Sequence, residues 1–308
     1  MTWSGRFSNT YPCPDMIPAE LLKKIRRIQI YTSHMVNDVF AGQYHSAFKG
    51  RGMEFEEVRK YQVGDDVRTI DWNVTARYGE PFVKLFREER EMTVMLLVDM
   101  SRSNLFGSHV QLKRELVAEV CATLAFSAIQ NNDKVGLICF TDEVEKFVLP
   151  KKGTSHVLRV IRELLYHQPA GQGTNIASAL EHLNRVTTRR AVVFLVSDFQ
   201  DSDYEQALRI ARRRHDLIPV TVTDRHELEL PNVGLIELYD AEAGQTVVVD
   251  TSSARWRKEY KHARQAEYDK LIQQFRRSNM DAIELTTGHS FVEPLTRFFR
   301  ARRARMAS

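Results

Sequence analysis

Between residues 92 and 223 the chain alternates unbroken apolar runs with segments whose apolar residues recur every three or four positions. The unbroken runs are "VMLLV" (94–98), "KVGLICF" (134–140), "AVVFLV" (191–196) and "LIPVTVT" (217–223). Runs that do not alternate suit parallel strands, which are covered on both faces. Helical spacing predicts a mostly apolar helix over 111–130 and further helices at about 154–167, 175–187 and 202–214. In the last of these, Tyr204, Ala207, Leu208 and Ala211 fall at i, i+3, i+4 and i+7. "EVEKFVLP" (143–150) reads as a short hairpin partner of the strand before it. This βα order predicts an α/β fold: a doubly wound, mostly parallel sheet with right-handed crossovers; were its strand order 3-2-1-4-5-6, the first and fourth strands would be neighbours across the switch point.

The flanking segments follow other patterns. Residues 18–36 read as an amphipathic helix opened by Pro18, with Leu21, Leu22, Ile25 and Ile28 on one face. From 45 to 91 short strands and turns are expected, punctuated by Gly50, Gly52, "VGDD" and "YGEP". Residues 233–250 read as a hairpin turning near Ala243-Gly244. A long helix (253–278), a strand (280–285) and a final helix (about 291–304) close the chain. The expected organisation is an N-terminal helical segment (1–44), a β-rich region (45–91) and an α/β domain (92–308). The 233–250 hairpin is expected to join the β-rich region as a small β-subdomain.

Composition changes this picture little. The 308 residues are 43% hydrophobic and 27% charged, with a net charge of +4 that gives no strong argument for nucleic acid or membrane binding. Five Arg and no acid stand in the last twelve residues, "RFFRARRARMAS". A solvated basic helix end is the ordinary explanation, and a patch for an acidic partner the sharper one. Cys13, Cys121 and Cys139 form no CxxC pair and no zinc spacing, which fits a reducing compartment. The N-terminus lacks the apolar core of a signal peptide, and no apolar run approaches the ~20 residues of a membrane helix. A cytoplasmic protein is expected.

The candidate chemistry lies at strand ends. Asp99 ends the first α/β strand, with Ser101 and Ser103 following at a spacing of two. Asp198 ends the fourth, and Thr174 in "AGQGTN" precedes a helix between them. In open α/β sheets, ligands bind beyond the C-terminal strand ends where strand order reverses. Two carboxylates and three hydroxyls would therefore meet in one crevice. Hard oxygen donors without His or Cys suit Mg²⁺, or Mn²⁺, rather than zinc. Each residue alone is explained by capping or turn formation; the set points to a cation site.

"DMSRS", Thr174 in "GQGTN" and Asp198 in "VSD" together resemble the metal-ion-dependent adhesion site of von Willebrand factor A domains. The resemblance implies that Ser101 and Ser103 bind the ion directly. Asp99, Thr174 and Asp198 would complete the protein's share, Thr174 and Asp198 directly or through water, with an Asp or Glu of a partner filling the shell. Residues 50–91, "GRGMEFEEVRKYQVGDDVRTIDWNVTARYGEPFVKLFREERE", resemble the hallmark of the family catalogued as domain of unknown function 58, whose members precede a von Willebrand A-like domain with a Gly-Asp-Asp…Arg…Ile-Asp-Trp run. Asn104, where many relatives carry Met, departs from the pattern at a non-ligand position. This resemblance implies a partner, a MoxR-type AAA+ ATPase, and a role in assembling or remodelling a client protein.

Taken without the family, "GDDVRTIDW" reads as a turn followed by a charged strand. Asp65, Asp66, Arg68, Asp71, Trp72 and Arg77 would form either a polar seam against the α/β domain or a partner-binding face. Surface ion pairs contribute only about 0–1 kcal/mol each, so stability alone is a weak reason for so many charges. No Gly of the 14 precedes a Lys, so a P-loop is absent, as are GxSxG and HExxH motifs. A non-enzymatic, divalent-cation-dependent protein-binding adaptor is the expectation. The alternatives are a metal-dependent phosphohydrolase using Asp99 and a nucleic-acid binder using "RIARRRH" and the Arg-rich tail.

Overall fold

The computed structural model describes residues 41–48, 53–88, 91–101, 103, 107–108, 111–171, 173–240 and 245–307. The expected helix over 18–36, Gly50, Gly52, Asn104 and the turn at Ala243-Gly244 lie outside them. Helix α1 (Ala41–Ala47) precedes an antiparallel pair, β1 (Met53–Lys60) and β2 (Phe82–Glu88), with helix α2 (Trp72–Tyr78) between them. The α/β series is β3 (Thr93–Asp99), α3 (Lys113–Gln130), β4 (Lys134–Phe140), β5 (Val144–Lys151), α4 (Thr154–Tyr166), α5 (Ile176–Val186), β6 (Val192–Ser197), α6 (Glu205–Arg214) and β7 (Asp216–Thr223). A one-turn helix α7 (Arg225–Leu228), the hairpin β8 (Leu235–Asp240) and β9 (Gln245–Asp250), α8 (Ala254–Arg277), β10 (Ile283–Thr286) and α9 (Val292–Ala307) follow.

The four apolar runs become neighbours in one six-stranded sheet, ordered β10-β7-β6-β3-β4-β5. Counted along the chain, that order is 3-2-1-4-5-6, with only the edge strand β5 antiparallel. The switch point falls between β3 and β6, which pair in parallel with Val98 beside Val196. Both faces are covered, which is why the strands need no polar alternation. Val94, Leu96 and Val98 enter one apolar cluster with α1, α3, α4 and α9. Met95 and Leu97 enter the other with α5, α6 and α8. Helix α3 is buried on nearly all sides from Leu116 to Ala128, as its unbroken apolar character requires.

The segment 67–72 is not a strand. Asp66 accepts the Arg68 N–H at 2.9 Å and starts a 3-10 turn over Val67–Thr69. Asp71 accepts the N–H groups of Asn73 (2.9 Å) and Val74 (3.2 Å) and so caps α2, which Gly79 ends in a left-handed conformation (φ 73°). Local capping chemistry outweighs β propensity here. Hairpins β1–β2 and β8–β9 are separate two-stranded ladders among the described residues.

The first and last described helices are tied to the sheet by polar anchors inside apolar packing. Tyr44 of α1, fully buried, donates its hydroxyl to Asp133 at 3.1 Å, and Asp133 also accepts the Met92 N–H at 2.8 Å. Arg302, within the basic C-terminal run, is mostly buried: it lies 4.6 Å over the Phe48 ring, donates to the Ala47 carbonyl and pairs with Asp216. Its role is packing as much as charge. No helix of the described residues is long and apolar enough to cross a membrane. Because a buried carboxylate that loses a donor is costly, Tyr44→Phe should lower unfolding free energy by about 1–3 kcal/mol. Urea denaturation checks this, and an unmoved midpoint would show that the hydroxyl carries no weight.

Candidate functional site

The C-terminal edge of the sheet places two carboxylates side by side. Asp99 is the last residue of β3 and is 2% exposed; Asp198 follows β6 and is 7% exposed. Asp99 accepts the Ser101 N–H at 2.8 Å on Oδ1, which folds the chain back over the strand end. Its Oδ2 accepts the Ser197 hydroxyl at 2.7 Å and lies 3.5 Å from the Thr174 hydroxyl. The Ser101 and Ser103 hydroxyls are 2.9 Å apart. Burial and the charge of Asp198 push the Asp99 carboxyl up to about 6, against the opposing hydrogen bonds from Ser197 and Ser101.

Thus Asp99, Ser101, Ser103 and Thr174 converge through their own hydrogen bonds. Asp198 sits near enough to perturb Asp99, but its contacts run elsewhere. Its Oδ1 accepts the Gln200 N–H at 3.3 Å, and its Oδ2 lies 3.3 Å from the ammonium of Lys113. Directly after it, Phe199 takes a left-handed conformation (φ 59°), uncommon for a bulky residue, with its ring packed on Phe275. Lys113, the first residue of α3, is fully buried and also reaches Glu227 of α7 at 2.5 Å. Burial raises the Glu227 carboxyl, opposed by the Lys113 charge and the Asp224 N–H.

The loop that carries Thr174 is held by acids. Glu145 accepts the N–H groups of Ala170 (3.0 Å) and Gly171 (2.8 Å) and the Thr141 hydroxyl (2.8 Å). Asp142 accepts the Gly173 N–H, and Asp201 accepts the Ile176 N–H at 2.8 Å. A Cβ on Gly171 would stand 2.2 Å from the Thr141 hydroxyl oxygen, and Thr141 is fully buried, so only glycine fits. The Gly171 amide, with the other donors, holds the Glu145 carboxyl below its usual range.

Three members of this site carried no signal strong enough for the sequence reading: Ser197, Lys113 and Glu227. Ser197 stands beside Asp198 in "VSD", where a single Ser at a strand end has no spacing pattern that marks it. Lys113 begins the charged run "KRE" ahead of the apolar part of α3 and so looks like an ordinary solvated helix start. Glu227 was legible only as the last position of the capping box that begins at Asp224.

The hallmark residues lie apart from these contacts. Asp65 pairs with Arg59 through both carboxylate oxygens, at 2.7 and 2.8 Å. Asp66 and Asp71 act as caps, and Asp71 also meets Lys84 at 3.4 Å. All these bonds stay within residues 59–84. Arg68 and Arg77 are exposed, and Trp72 presents 69% of its surface.

As to what the site can hold, the described residues contain no cluster of three or more His, Cys, Asp or Glu with metal-ligand geometry. The donor set is two carboxylates with three hydroxyls. These oxygens fit a hard divalent cation that keeps part of its water shell, and fit zinc poorly.

The fold is a doubly wound, mostly parallel α/β sheet with a polar crevice at its switch point, a von Willebrand factor A-like arrangement. The chain belongs to the family described as Protein of unknown function DUF58, which it matches over residues 57–270. It is 29% identical over 292 residues to the uncharacterized protein Rv1480 of Mycobacterium tuberculosis, covering 94% of this chain and 92% of that protein. It is 25% identical over 191 residues to the uncharacterized protein YeaD of Bacillus subtilis, covering 62% of this chain and 44% of YeaD. Solved structures similar to it include the conserved hypothetical protein BatB from Bacteroides thetaiotaomicron (17% identity, TM-score 0.44, 70% of this chain and 99% of that one). The SpRpn10 VWA domain is another (11% identity, TM-score 0.33, 42% and 75%).

The anchoring of the Thr174 loop has a pH dependence whose sign follows from Glu145. Its carboxyl binds protons less readily in the folded chain, so its contribution is complete above the ordinary glutamate value of about 4.3 and is lost as pH falls through the lowered value. Glu145→Gln should therefore be less stable than wild type at pH 7, with a smaller difference in acid, below the ordinary glutamate value of about 4.3. Paired denaturation curves at pH 7 and in acid test it; an equal difference at both would remove Glu145's charge from the account.

Proposed function

We propose that this chain is a divalent-cation-dependent protein-binding adaptor rather than an enzyme. The observation that carries this reading is the gathering of the Ser101, Ser103 and Thr174 hydroxyls around the Asp99 carboxylate at the switch point. Ser103 and Thr174 are partly exposed while Asp99 and Ser101 are buried, so the hydroxyls form the rim of the crevice and the carboxylate its floor. Asp99, Ser101, Ser103 and Thr174 would hold Mg²⁺ or Mn²⁺. Asp198, engaged by Lys113 and the Gln200 N–H, suits a role through water. When bound, the cation supplies a positive centre able to accept a carboxylate from another protein. Hydroxyl ligands neutralise none of its charge, which favours an acidic side chain as the incoming ligand.

The phosphohydrolase reading is the weaker one. Both Asp99 oxygens already accept protein hydrogen bonds, which leaves the carboxylate poorly placed as a nucleophile. The partners we assign are a MoxR-type AAA+ ATPase, by the resemblance of residues 50–91, and a client that supplies the acidic residue. Hydrolysis of ATP would belong to that partner. Buried, unpaired Cys121 and Cys139 fit a cytoplasmic setting.

Asp99→Asn and Ser101→Ala should each weaken Mg²⁺ binding at least about tenfold, or 1.4 kcal/mol, with an unchanged circular dichroism spectrum. Isothermal titration decides this, and a wild-type chain that takes up neither Mg²⁺ nor Mn²⁺ sinks the reading. Affinity capture from native lysate should then recover an AAA+ ATPase or client with Mg²⁺ present and lose it with EDTA or with Asp99→Asn.

A further inference from the structure

Lys113 is a buried charged group beside the crevice for which the binding reading has no use. Its side chain is fully buried. It also opens an 18-residue helix, where the helix dipole disfavours a cation. Removing an ammonium from water costs several kcal/mol unless carboxylates surround it. Those carboxylates come from two other elements: Asp198 after β6, at 3.3 Å, and Glu227 of α7, at 2.5 Å. Asp198 thus faces the ammonium while standing at the strand end next to that of Asp99.

We propose that Lys113 is a built-in counter-cation that competes with the divalent ion for Asp198 and so sets how tightly the crevice holds that ion. The inference rests on the reading of the crevice as a divalent-cation site and deepens it. Asp99, Asp198 and Glu227 are three carboxylates and Lys113 is the cation placed between two of them, so their formal charges sum to two negative, the amount one divalent ion cancels. Removal of the lysine charge would leave three, and the crevice would hold the ion more firmly by itself. With Lys113 in place, the ion is held loosely enough by the chain that an incoming carboxylate contributes much of its binding. Lys113 is a positioning and affinity-setting residue, not a ligand. Glu227 is its second tether: it draws the ammonium away from Asp198.

The test uses the full chain and Mg²⁺ alone, with affinity read by isothermal titration and thermal midpoints read with and without Mg²⁺. One unit charge at short range in a medium of effective dielectric about 20 is sufficient for at least about a tenfold change. Lys113→Met should bind Mg²⁺ at least about tenfold more tightly than wild type and gain more thermal stability from it. Glu227→Gln, which leaves the ammonium to Asp198, should bind Mg²⁺ several-fold more weakly; it decides the matter if Lys113→Met fails to fold. Equal or weaker binding by folded Lys113→Met, or equal or tighter binding by Glu227→Gln, overturns the role of Lys113 while leaving the cation site standing. Mg²⁺ binding by neither the wild type nor either variant overturns the cation reading and this inference together.

Discussion

The burial of two carboxylates at the ends of adjacent parallel strands is the constraint on which the crevice depends. Asp99 and Asp198 stand at the ends of β3 and β6 with almost no access to water. Neighbouring buried acids repel, and each must find donors or cations to remain there. Asp99 finds neutral donors: the Ser101 amide, the Ser197 hydroxyl and, more distantly, Thr174. Asp198 finds an ammonium and an amide. That division makes the crevice asymmetric, with hydroxyls on one side and a fixed positive charge on the other.

The same logic extends outward from the strand ends. Gly171, Gly173, Thr174 and Asn175 lie outside helices and strands, yet the amides of Gly171, Gly173 and Ile176 are collected by Glu145 and Asp142 on one side and Asp201 on the other. A loop secured in this way can present a hydroxyl at a fixed place without a strand or helix beneath it. Gly171 belongs to the same device, since the approach of Thr141 leaves no room for a side chain.

The hallmark region is built differently. Its acids serve as caps and local ion pairs within residues 59–84. Its large apolar residues Val63, Trp72 and Tyr78 face outward. Exposed aromatic surface on a locally self-sufficient element is the composition expected of a recognition surface rather than of a core. The crevice and this region thus differ in chemistry, one ionic and the other with exposed apolar surface.

The amino-acid sequence by itself determined the α/β series. Each unbroken apolar run and each amphipathic helix is a local pattern, and burial on both faces of a parallel sheet leaves such patterns unmistakable. It also determined that Asp99, Ser101, Ser103 and Asp198 stand where strand runs stop and that Thr174 stands just before a helix. It misled at 67–72, where side-chain caps by Asp66 and Asp71 turn a charged segment into helix, a competition that periodicity does not register. The meeting of Lys113, Asp198 and Glu227 was decided only by the tertiary structure. These residues lie on α3, after β6 and on α7, with Lys113 separated from Asp198 by 85 positions. No local rule couples charges so far apart, and only the folding of those elements against one edge of the sheet brings them within reach of one another.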